Sequence, residues 1–233
     1  MSKLAVITGA SAGIGYATAG QLLEAGYDVV NLSRRPCKLD GVVSYPVDLA
    51  DPVDAALVDN LRSQLAEADV STVVHCAGLL SSDTAATLDQ SELQRSLNVN
   101  VVAPAALNAA FIPVMKPGSS VIFVGSTLGD KAVPGAFSYV TSKHAVNGMM
   151  RATCQDLTGT GMHTATVSPG FTDTEMLRNH VGNDESILEA LATNMCLGRL
   201  ATPDEIAATI VFCVRNPVIN GSVIHANLGQ IER

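Results

Sequence analysis

The sequence predicts an α/β fold in which a doubly wound parallel sheet of about seven strands carries helices on both faces. Short apolar runs at residues 4–7, 29–32, 42–47, 72–76, 121–124, 164–167 and 223–226 alternate with longer segments of helical period. A glycine-rich turn joins the first run to the first helical segment. Continuous apolar runs suit strands that are buried on both faces, and helical crossovers keep consecutive strands parallel.

The length and composition predict one dinucleotide-binding and catalytic domain over residues 1–233. A chain of 233 residues with 47% hydrophobic content can bury a full core. The segment at about 171–200 is the one long stretch without clear strand period, and we expect it to be an excursion that acts as a substrate loop or lid.

Charge and cysteine usage narrow the function classes. The formal net charge of −8 argues against nucleic acid and against an anionic membrane surface as partners. The first apolar run is too short for a signal peptide and no later run approaches ~18 apolar residues, so we expect a cytoplasmic protein. Five cysteines without C-x-x-C spacing and histidines without paired spacing predict neither a disulfide framework nor a metal site.

Two helix boundaries can be predicted from local signals. The first helix should begin near Gly15 and end at Gly26, a residue that suits a left-handed cap. Thr202 with Glu205 three residues later predicts a capping box at the start of a late helix.

The glycine turn predicts a site for a pyrophosphate. Glycines allow positive φ and let backbone N–H groups approach an anion at a helix N-terminus. The residues of this turn that we expect to contact a dinucleotide are Gly9, Ser11, Gly13, Ile14 and Gly15. The turn by itself is also compatible with an ordinary strand-to-helix connection.

The end of the second strand predicts which cofactor is bound. NAD enzymes usually carry an acidic residue there, whereas this chain has Ser33 and Arg34. A guanidinium forms forked, charge-assisted contacts with a 2′-phosphate, so NADP(H) is favoured over NAD(H). The alternative is that Arg34 and Arg35 are simply solvated side chains of a loop.

Tyr139 and Lys143 indicate acid–base chemistry. The two residues are four apart in a helical segment predicted over residues 138–157, so they share one helix face. An unperturbed phenol, with a pKa near ~10, is a weak acid at neutral pH, and a neighbouring ammonium group stabilises the phenolate.

The ordered set of these motifs resembles the short-chain dehydrogenase/reductase family almost from end to end. Further matches are Asp48 and Leu49 after the third strand, Ala77 and Gly78 after the fourth, Asn100 in the next helix, Ser126 after the fifth strand, and Pro169 and Gly170 after the sixth. The resemblance implies that the Ser126 hydroxyl donates to the substrate oxygen as negative charge develops. The resemblance implies a Rossmann-like fold, adenine contact by Asp48 and a ribose side formed by Ala77 and Gly78. It also implies a nicotinamide end held by Pro169, Gly170, Thr172 and Thr174, and a relay from Asn100 through water to Lys143.

Two departures from the family pattern stand out. The chain has His75 and Cys76 where the family commonly has two asparagines, and Asn227 and Leu228 where it often has Asp and Gly. The first departure affects the hydrogen bonds of the cofactor loop. His75 follows a buried strand on the adenosine side, so we do not assign it a catalytic role.

The resemblance therefore implies an oxidoreductase that transfers a hydride between NADP(H) and a small carbonyl or alcohol substrate, with Tyr139 as general acid/base assisted by Lys143, Ser126 and Asn100. A homodimer or homotetramer is expected, with the Tyr139 helix and the last strand as contact surfaces. We expect one group of residues either to line the substrate pocket and determine specificity or to pack on the core. These residues are Leu128, Gly129, Val133, Pro134, Phe171, Met176, Leu177, Ile187, Leu188 and Met195. The alternative function is a non-catalytic regulator that senses NADP.

Overall fold

The computed structural model describes residues 1–230, which form one all-parallel sheet of seven strands in the order β3-β2-β1-β4-β5-β6-β7. The strands are β1 (Lys3–Thr8), β2 (Asp28–Ser33), β3 (Val42–Pro46), β4 (Val70–His75), β5 (Ser120–Val124), β6 (His163–Pro169) and β7 (Val223–Ala226). The chain winds outward from β1 in both directions, which confirms the predicted doubly wound, Rossmann-like architecture. The last three residues of the predicted 1–233 domain lie outside the described residues.

Within residues 1–230, eight α-helices connect and cover the strands. They are α1 (Gly13–Glu24), α2 (Ala55–Glu67), α3 (Gln90–Leu97), α4 (Ala103–Phe111), α5 (Phe137–Asp156), α6 (Glu175–His180), α7 (Glu185–Ala192) and α8 (Pro203–Arg215). A π-helical turn (Asn98–Val102) joins α3 to α4, and a 3₁₀ turn (Thr127–Gly129) follows β5.

The sheet separates two apolar clusters. In β1, Ala5 and Ile7 pack with α1 and α8 on one face, whereas Leu4 and Val6 pack with α2, α4 and α5 on the other. This alternation follows from the two-residue period of a strand. Because both faces are covered by helices, the strands consist of nearly continuous apolar runs.

The predicted limits of α1 and the predicted capping box of α8 are largely confirmed. Helix α1 begins at Gly13, two residues before the predicted start, and Gly26 after its end has φ +79°. At α8, Thr202 Oγ1 accepts from the Glu205 backbone N–H (3.3 Å), and Glu205 accepts in return from the Thr202 backbone N–H (2.9 Å). Arg199 adds a bidentate contact to Glu205, and these donors lower the pKa of that carboxyl to about 2.

One helical stretch, Gln90–Val114, has the length and mean hydropathy (1.5) of a membrane span, although polar residues interrupt its apolar runs. Core helices of soluble proteins share this composition. Here Leu107 and Phe111 are buried against the sheet, where they form part of the core cluster.

The excursion over residues 171–200 contains α6 and α7 and is tied down at both ends. An isolated bridge pairs Thr172 with Ala201 at its start, and another pairs Met195 with Gln230 near its end. Leu188 and Met195 are 4% and 2% exposed, so these two residues pack inward. The excursion is therefore a folded layer over the carboxyl ends of the strands.

Candidate active site

The glycine turn lies at the carboxyl end of β1. Gly9 has φ +78° and Gly13 has φ +55°, both in the left-handed region that favours glycine. A Cβ at Gly9 would lie 2.8 Å from the backbone of Ala77, and one at Gly15 would lie 2.3 Å from the Gly9 carbonyl oxygen. The predicted glycines are thus required by the close approach of this turn to the β4 loop and to itself.

Helix α1 begins directly after this turn without a capping side chain. The residue before it, Ala12, provides no side-chain hydrogen bond among the described residues, so the first-turn N–H groups are available to an external acceptor. Ser11 is partly exposed beside this helix end, while Ile14 packs against the core behind it. A helix N-terminus of this form fits the pyrophosphate of a dinucleotide.

Two polar residues that the sequence analysis did not single out hold the turn in place. Asn31 Oδ1 accepts from the Ala10 backbone N–H (2.9 Å), and its amide donates to the Arg35 carbonyl (3.3 Å). Thr8 Oγ1 accepts from the backbone N–H groups of Cys76 and Ala77, each at 3.1 Å. The Cys76 substitution therefore leaves this backbone attachment of the cofactor loop intact.

The end of β2 presents the two arginines differently. The Ser33 hydroxyl donates to the Arg35 carbonyl (2.7 Å) and closes the turn. Arg35 forms a bidentate ion pair with Glu175 at the start of α6 (2.8 and 3.1 Å). Arg34 is exposed and makes no ion pair within residues 1–230. Of the two, Arg34 is the side chain that is available to an anion.

Asp48 and Leu49 follow β3. The Asp48 carboxylate accepts from the Ala50 backbone N–H and from Arg95, each at 3.0 Å, and these contacts keep its pKa below the usual range. Leu49 is buried in the core cluster on the α2 side of the sheet. Asp48 is therefore held as an oriented carboxylate, whereas the Leu49 side chain is part of the core.

The segment after β6 reaches the glycine turn. Pro169 ends the strand, and a Cβ at Gly170 would lie 2.9 Å from Asn227, so only glycine fits between β6 and the C-terminal segment. Thr172 Oγ1 donates to the Gly170 carbonyl (3.1 Å), and Thr174 caps α6 by accepting from the Leu177 backbone N–H. The Thr174 methyl lies 3.3 Å from the Cβ position of Gly13.

Four residues form what we call the Tyr139 cluster: Asn100, Tyr139, Ser142 and Lys143. The Lys143 Nζ lies 5.5 Å from the centroid of the Tyr139 ring and donates to the Val124 carbonyl (2.9 Å). Lys143 is only 5% exposed, so its ammonium group is held inside the protein. Tyr139 itself is partly exposed at the start of α5.

Asn100 connects the cluster to the loop after β4. Its amide donates to Ser142 Oγ (2.8 Å) and to the Leu79 carbonyl (3.0 Å), while its Oδ1 accepts from the Leu79 backbone N–H (2.8 Å). A Cβ at Gly78 would lie 3.8 Å from both Asn100 Oδ1 and Lys143 Nζ. The absence of a side chain at Gly78 therefore leaves space beside the lysine.

Ser126 lies two residues beyond the strand that anchors Lys143. Its Oγ accepts from the Leu128 backbone N–H (3.1 Å), which leaves the hydroxyl hydrogen to donate elsewhere. The following turn packs on α5, since a Cβ at Gly129 would lie 3.0 Å from the Lys143 carbonyl. Ser126 and the Tyr139 cluster are thus joined through one packed turn.

The surroundings of His75 and Cys76 indicate structural rather than catalytic roles. Burial lowers the pKa of His75 to about 4, and its Nε2 lies 2.7 Å from Asn108 Oδ1 on α4. Burial raises the pKa of the Cys76 thiol to about 12. Both groups stay uncharged near neutral pH, and His75 points toward α4.

The candidate specificity residues divide by burial. Gly129, Leu188 and Met195 are buried, whereas Val133, Met176 and Ile187 are exposed by 46%, 43% and 42%. The Met176 methyl approaches the Cβ position of Gly78 at 4.0 Å, so it lies next to the Tyr139 cluster. Over residues 1–230 no group of three or more His, Cys, Asp or Glu side chains could hold a metal ion.

Comparison with known proteins agrees with this geometry. The chain matches, over residues 9–230, a family model described as enoyl-(acyl carrier protein) reductase. It is 28% identical to the short-chain reductase protein NovJ of Streptomyces niveus, over 98% of this chain and 94% of that protein. It is 27% identical to the 3-oxoacyl-[acyl-carrier-protein] reductase FabG of Rickettsia conorii, over 98% and 97% of the two chains.

The fold is shared with solved structures. A 4-hydroxyisoleucine dehydrogenase complexed with NADH superposes with a TM-score of 0.84 at 23% identity, and the match covers 98% of each chain. The family match extends from Gly9 in the glycine turn to residue 230 and includes the Tyr139 cluster, Ser126 and Arg34. The protein belongs to the short-chain dehydrogenase/reductase family, whose members are oxidoreductases that use a nicotinamide cofactor.

Proposed function

We propose that the protein catalyses NADP(H)-dependent interconversion of a carbonyl compound and its alcohol, with the reaction centred on Tyr139. The observation that carries this proposal is the Tyr139 cluster, in which the buried Lys143 ammonium group faces the Tyr139 ring at 5.5 Å. This cluster lies beside Gly78, at the carboxyl ends of the strands, where the glycine turn also lies. A regulator that only senses the cofactor would not require a phenol paired with a buried ammonium group.

Each side chain has a distinct role in this proposal. The Tyr139 hydroxyl donates a proton to the carbonyl oxygen during reduction, while the Ser126 hydroxyl donates a hydrogen bond to the same oxygen. The Lys143 ammonium stabilises the resulting phenolate. Asn100 Oδ1 continues the relay through water to Lys143. The nicotinamide cofactor supplies or accepts the hydride when it is bound.

The preference for NADP(H) rests on Arg34. Its guanidinium is exposed and, within residues 1–230, not engaged in an ion pair, unlike Arg35. The residues that end β2 include no acidic side chain that would repel a 2′-phosphate. Charge-assisted hydrogen bonds of this kind contribute about 1.5–3 kcal/mol, so they can decide between the two cofactors.

We further propose that residues 1–233 act as one domain with residues 171–200 as a substrate loop, and that the protein works in the cytoplasm without nucleic acid or membrane partners.

Self-association through α5 and α4 is supported by an open depression between these helices, lined in part by Ala105, Ala109, Ile112 and Met149. Ile206 and Ile210 of α8 are buried within the chain, so these two side chains are not available to a second copy.

The test is a screen for oxidation of NADPH and NADH across aldehydes, ketones and diketones. We expect Tyr139→Phe to lower kcat by about 100-fold or more, because general acid catalysis is removed. Tyr45→Phe, on β3, is the matched control and should retain activity. Arg34→Ala should lower kcat/KM for NADPH by about 10- to 100-fold and leave that for NADH nearly unchanged.

Two outcomes would contradict the proposal. Equal catalytic efficiency with NADH in the wild-type protein would remove the cofactor preference. NADPH binding without turnover on any member of the panel would instead support the regulatory alternative.

A further inference from the structure

The helix that carries Tyr139 receives its N-terminal cap from a distant loop. Ala136, which precedes α5, provides no side-chain cap among the described residues. Instead, Asp83 Oδ1 accepts from the Ser138 backbone N–H (2.9 Å) across 55 residues of sequence, and Asp83 Oδ2 accepts from the Ser138 hydroxyl. A carboxylate is well suited to this position because helix N-termini attract negative charge.

The backbone of Asp83 reinforces this attachment. Its carbonyl oxygen accepts from the Phe137 N–H (3.2 Å), and its N–H donates to the Gly135 carbonyl (3.1 Å). Two of the first N–H groups of α5 are therefore satisfied by the same residue. Ser138 is completely buried, so loss of the carboxylate would leave two of its donors without an acceptor inside the protein.

The loop that ends at Asp83 also contacts the other end of the Tyr139 cluster. Leu79 forms two hydrogen bonds with Asn100, Asn100 donates to Ser142 Oγ, and Ser142 Oγ donates to the Tyr139 carbonyl (2.8 Å). The loop over residues 79–83 and the first turn of α5 thus form a closed ring of contacts. Tyr139 lies within this ring, directly after Ser138.

We propose that Asp83 is a positioning residue for Tyr139. By capping α5 it prevents the first helical turn from fraying, and so it keeps the Tyr139 hydroxyl at a fixed place relative to Lys143. Lys143 lies more than one turn further along α5 and has a separate anchor in the Val124 carbonyl. The inference rests on the proposed acid–base role of Tyr139, since small displacements of a reacting group reduce turnover strongly.

The experiment compares Asp83→Ala, Asp83→Asn and the control Asp54→Ala. Asp54 caps α2 by accepting from the Leu57 backbone N–H (3.0 Å), far from the Tyr139 cluster. In Asp83→Ala we expect kcat to fall about 10- to 100-fold with the cofactor KM nearly unchanged, and the pH–rate profile of alcohol oxidation to move to higher pH. Asp83→Asn retains an acceptor oxygen and should restore most of the activity.

Amide hydrogen exchange provides a readout that does not depend on turnover. Exchange over residues 137–140 should accelerate in Asp83→Ala and stay slow in Asp83→Asn and in Asp54→Ala. Unchanged exchange and unchanged kcat in Asp83→Ala would overturn the inference. It would also be overturned by a loss of activity that comes with a lower Tm, faster exchange throughout the chain and an unaltered pH–rate profile, because those changes indicate a purely structural role.

The two proposals fail in different ways. If Tyr139→Phe stays active, the acid–base role of Tyr139 is wrong, whereas the exchange data still decide whether Asp83 holds the first turn of α5. If Asp83→Asn is as impaired as Asp83→Ala, hydrogen-bond capping is not what Asp83 contributes.

Discussion

His75 is enclosed at the end of β4. Its ring lies 5.1 Å from the ring of Phe123, and its Nε2 meets Asn108 Oδ1 at 2.7 Å. The imidazole is 4% exposed, and this burial lowers its pKa to about 4. The folded protein therefore holds His75 in its neutral form at pH values where an exposed histidine is protonated.

This burial makes the stability of the fold depend on pH. Between the ordinary histidine pKa of 6.5 and the folded value of about 4, the unfolded chain binds a proton that the folded chain does not. The stability contributed by neutral His75 is thus fully present above pH 6.5 and is lost as the pH falls toward 4. We expect a loss of up to about 3 kcal/mol over this window.

The measurement is the free energy of unfolding in urea at several pH values for wild type, His75→Asn and the control His144→Gln. His144 is exposed on α5, so its substitution should leave the pH dependence unchanged. The difference between wild type and His75→Asn isolates the histidine from the carboxylates that titrate in the same range. Parallel curves for these two proteins would show that His75 is not the group responsible.

The polar residues of the site illustrate what can be predicted at the scale of single residues. The roles of Gly9, Tyr139 and Lys143 can be predicted from the residues near them in the sequence and from their chemistry. Asn31 and Asp83 act on partners 21 and 55 positions away, and nothing in their immediate sequence indicates those partners. The roles of such residues can be recognised only when the order of the strands is known.

At the scale of elements, the ion pair between Arg35 and Glu175 joins the β2 loop to the helix α6 that begins the folded excursion. The pair is bidentate, and its side chains are 60% and 52% exposed. Exposed pairs contribute at most about 1 kcal/mol, so this contact links the excursion to the β2 loop but does not determine the fold. Arg35 directly follows Arg34, the residue that we propose to bind a 2′-phosphate.

We expect Glu175→Gln to increase the rate of NADPH dissociation by roughly threefold to fivefold, because one attachment of the excursion is weakened. Stopped-flow fluorescence of bound NADPH measures this rate directly. Glu185→Gln is the control, since Glu185 pairs with Arg178 inside the excursion. A similar acceleration in both variants would show that general loosening, rather than the Arg35 contact, is responsible.

The sequence predicts the strands more closely than it predicts the short helices, and the reason is physical. Each strand lies within two residues of its predicted bounds, because a strand buried on both faces consists of an unbroken apolar run. The helices α6 and α7 have 6 and 8 residues, too few turns for a helical period to stand out, and they were expected only as an excursion. The π-helical turn that holds Asn100 has no distinct pattern in the sequence.

At the scale of the whole molecule, assembly can be tested at the depression between α4 and α5. Ala105 and Ala109 on α4 and Ala152 on α5 are exposed small residues that would allow a second copy to approach closely. We expect Ala109→Arg to shift the protein toward monomers in light scattering coupled to size-exclusion chromatography, because an arginine at this surface would be desolvated without a partner.

Ala56→Arg, on the exposed side of α2, provides the matched control and should keep the wild-type mass. If Ala109→Arg also keeps that mass, the assembly does not use this surface. The last strand, β7, is the next surface to examine, because it forms an edge of the sheet.

A ligand bound at the uncapped start of α1 would also affect how long the protein survives. A ligand that satisfies those N–H groups in the folded chain alone raises the free energy of unfolding by mass action, by about 2.7 kcal/mol when its concentration is a hundred times its dissociation constant. The unfolded fraction that proteases can degrade then falls about a hundredfold. Abundance of the protein would therefore follow the supply of dinucleotide, even if its synthesis were constant.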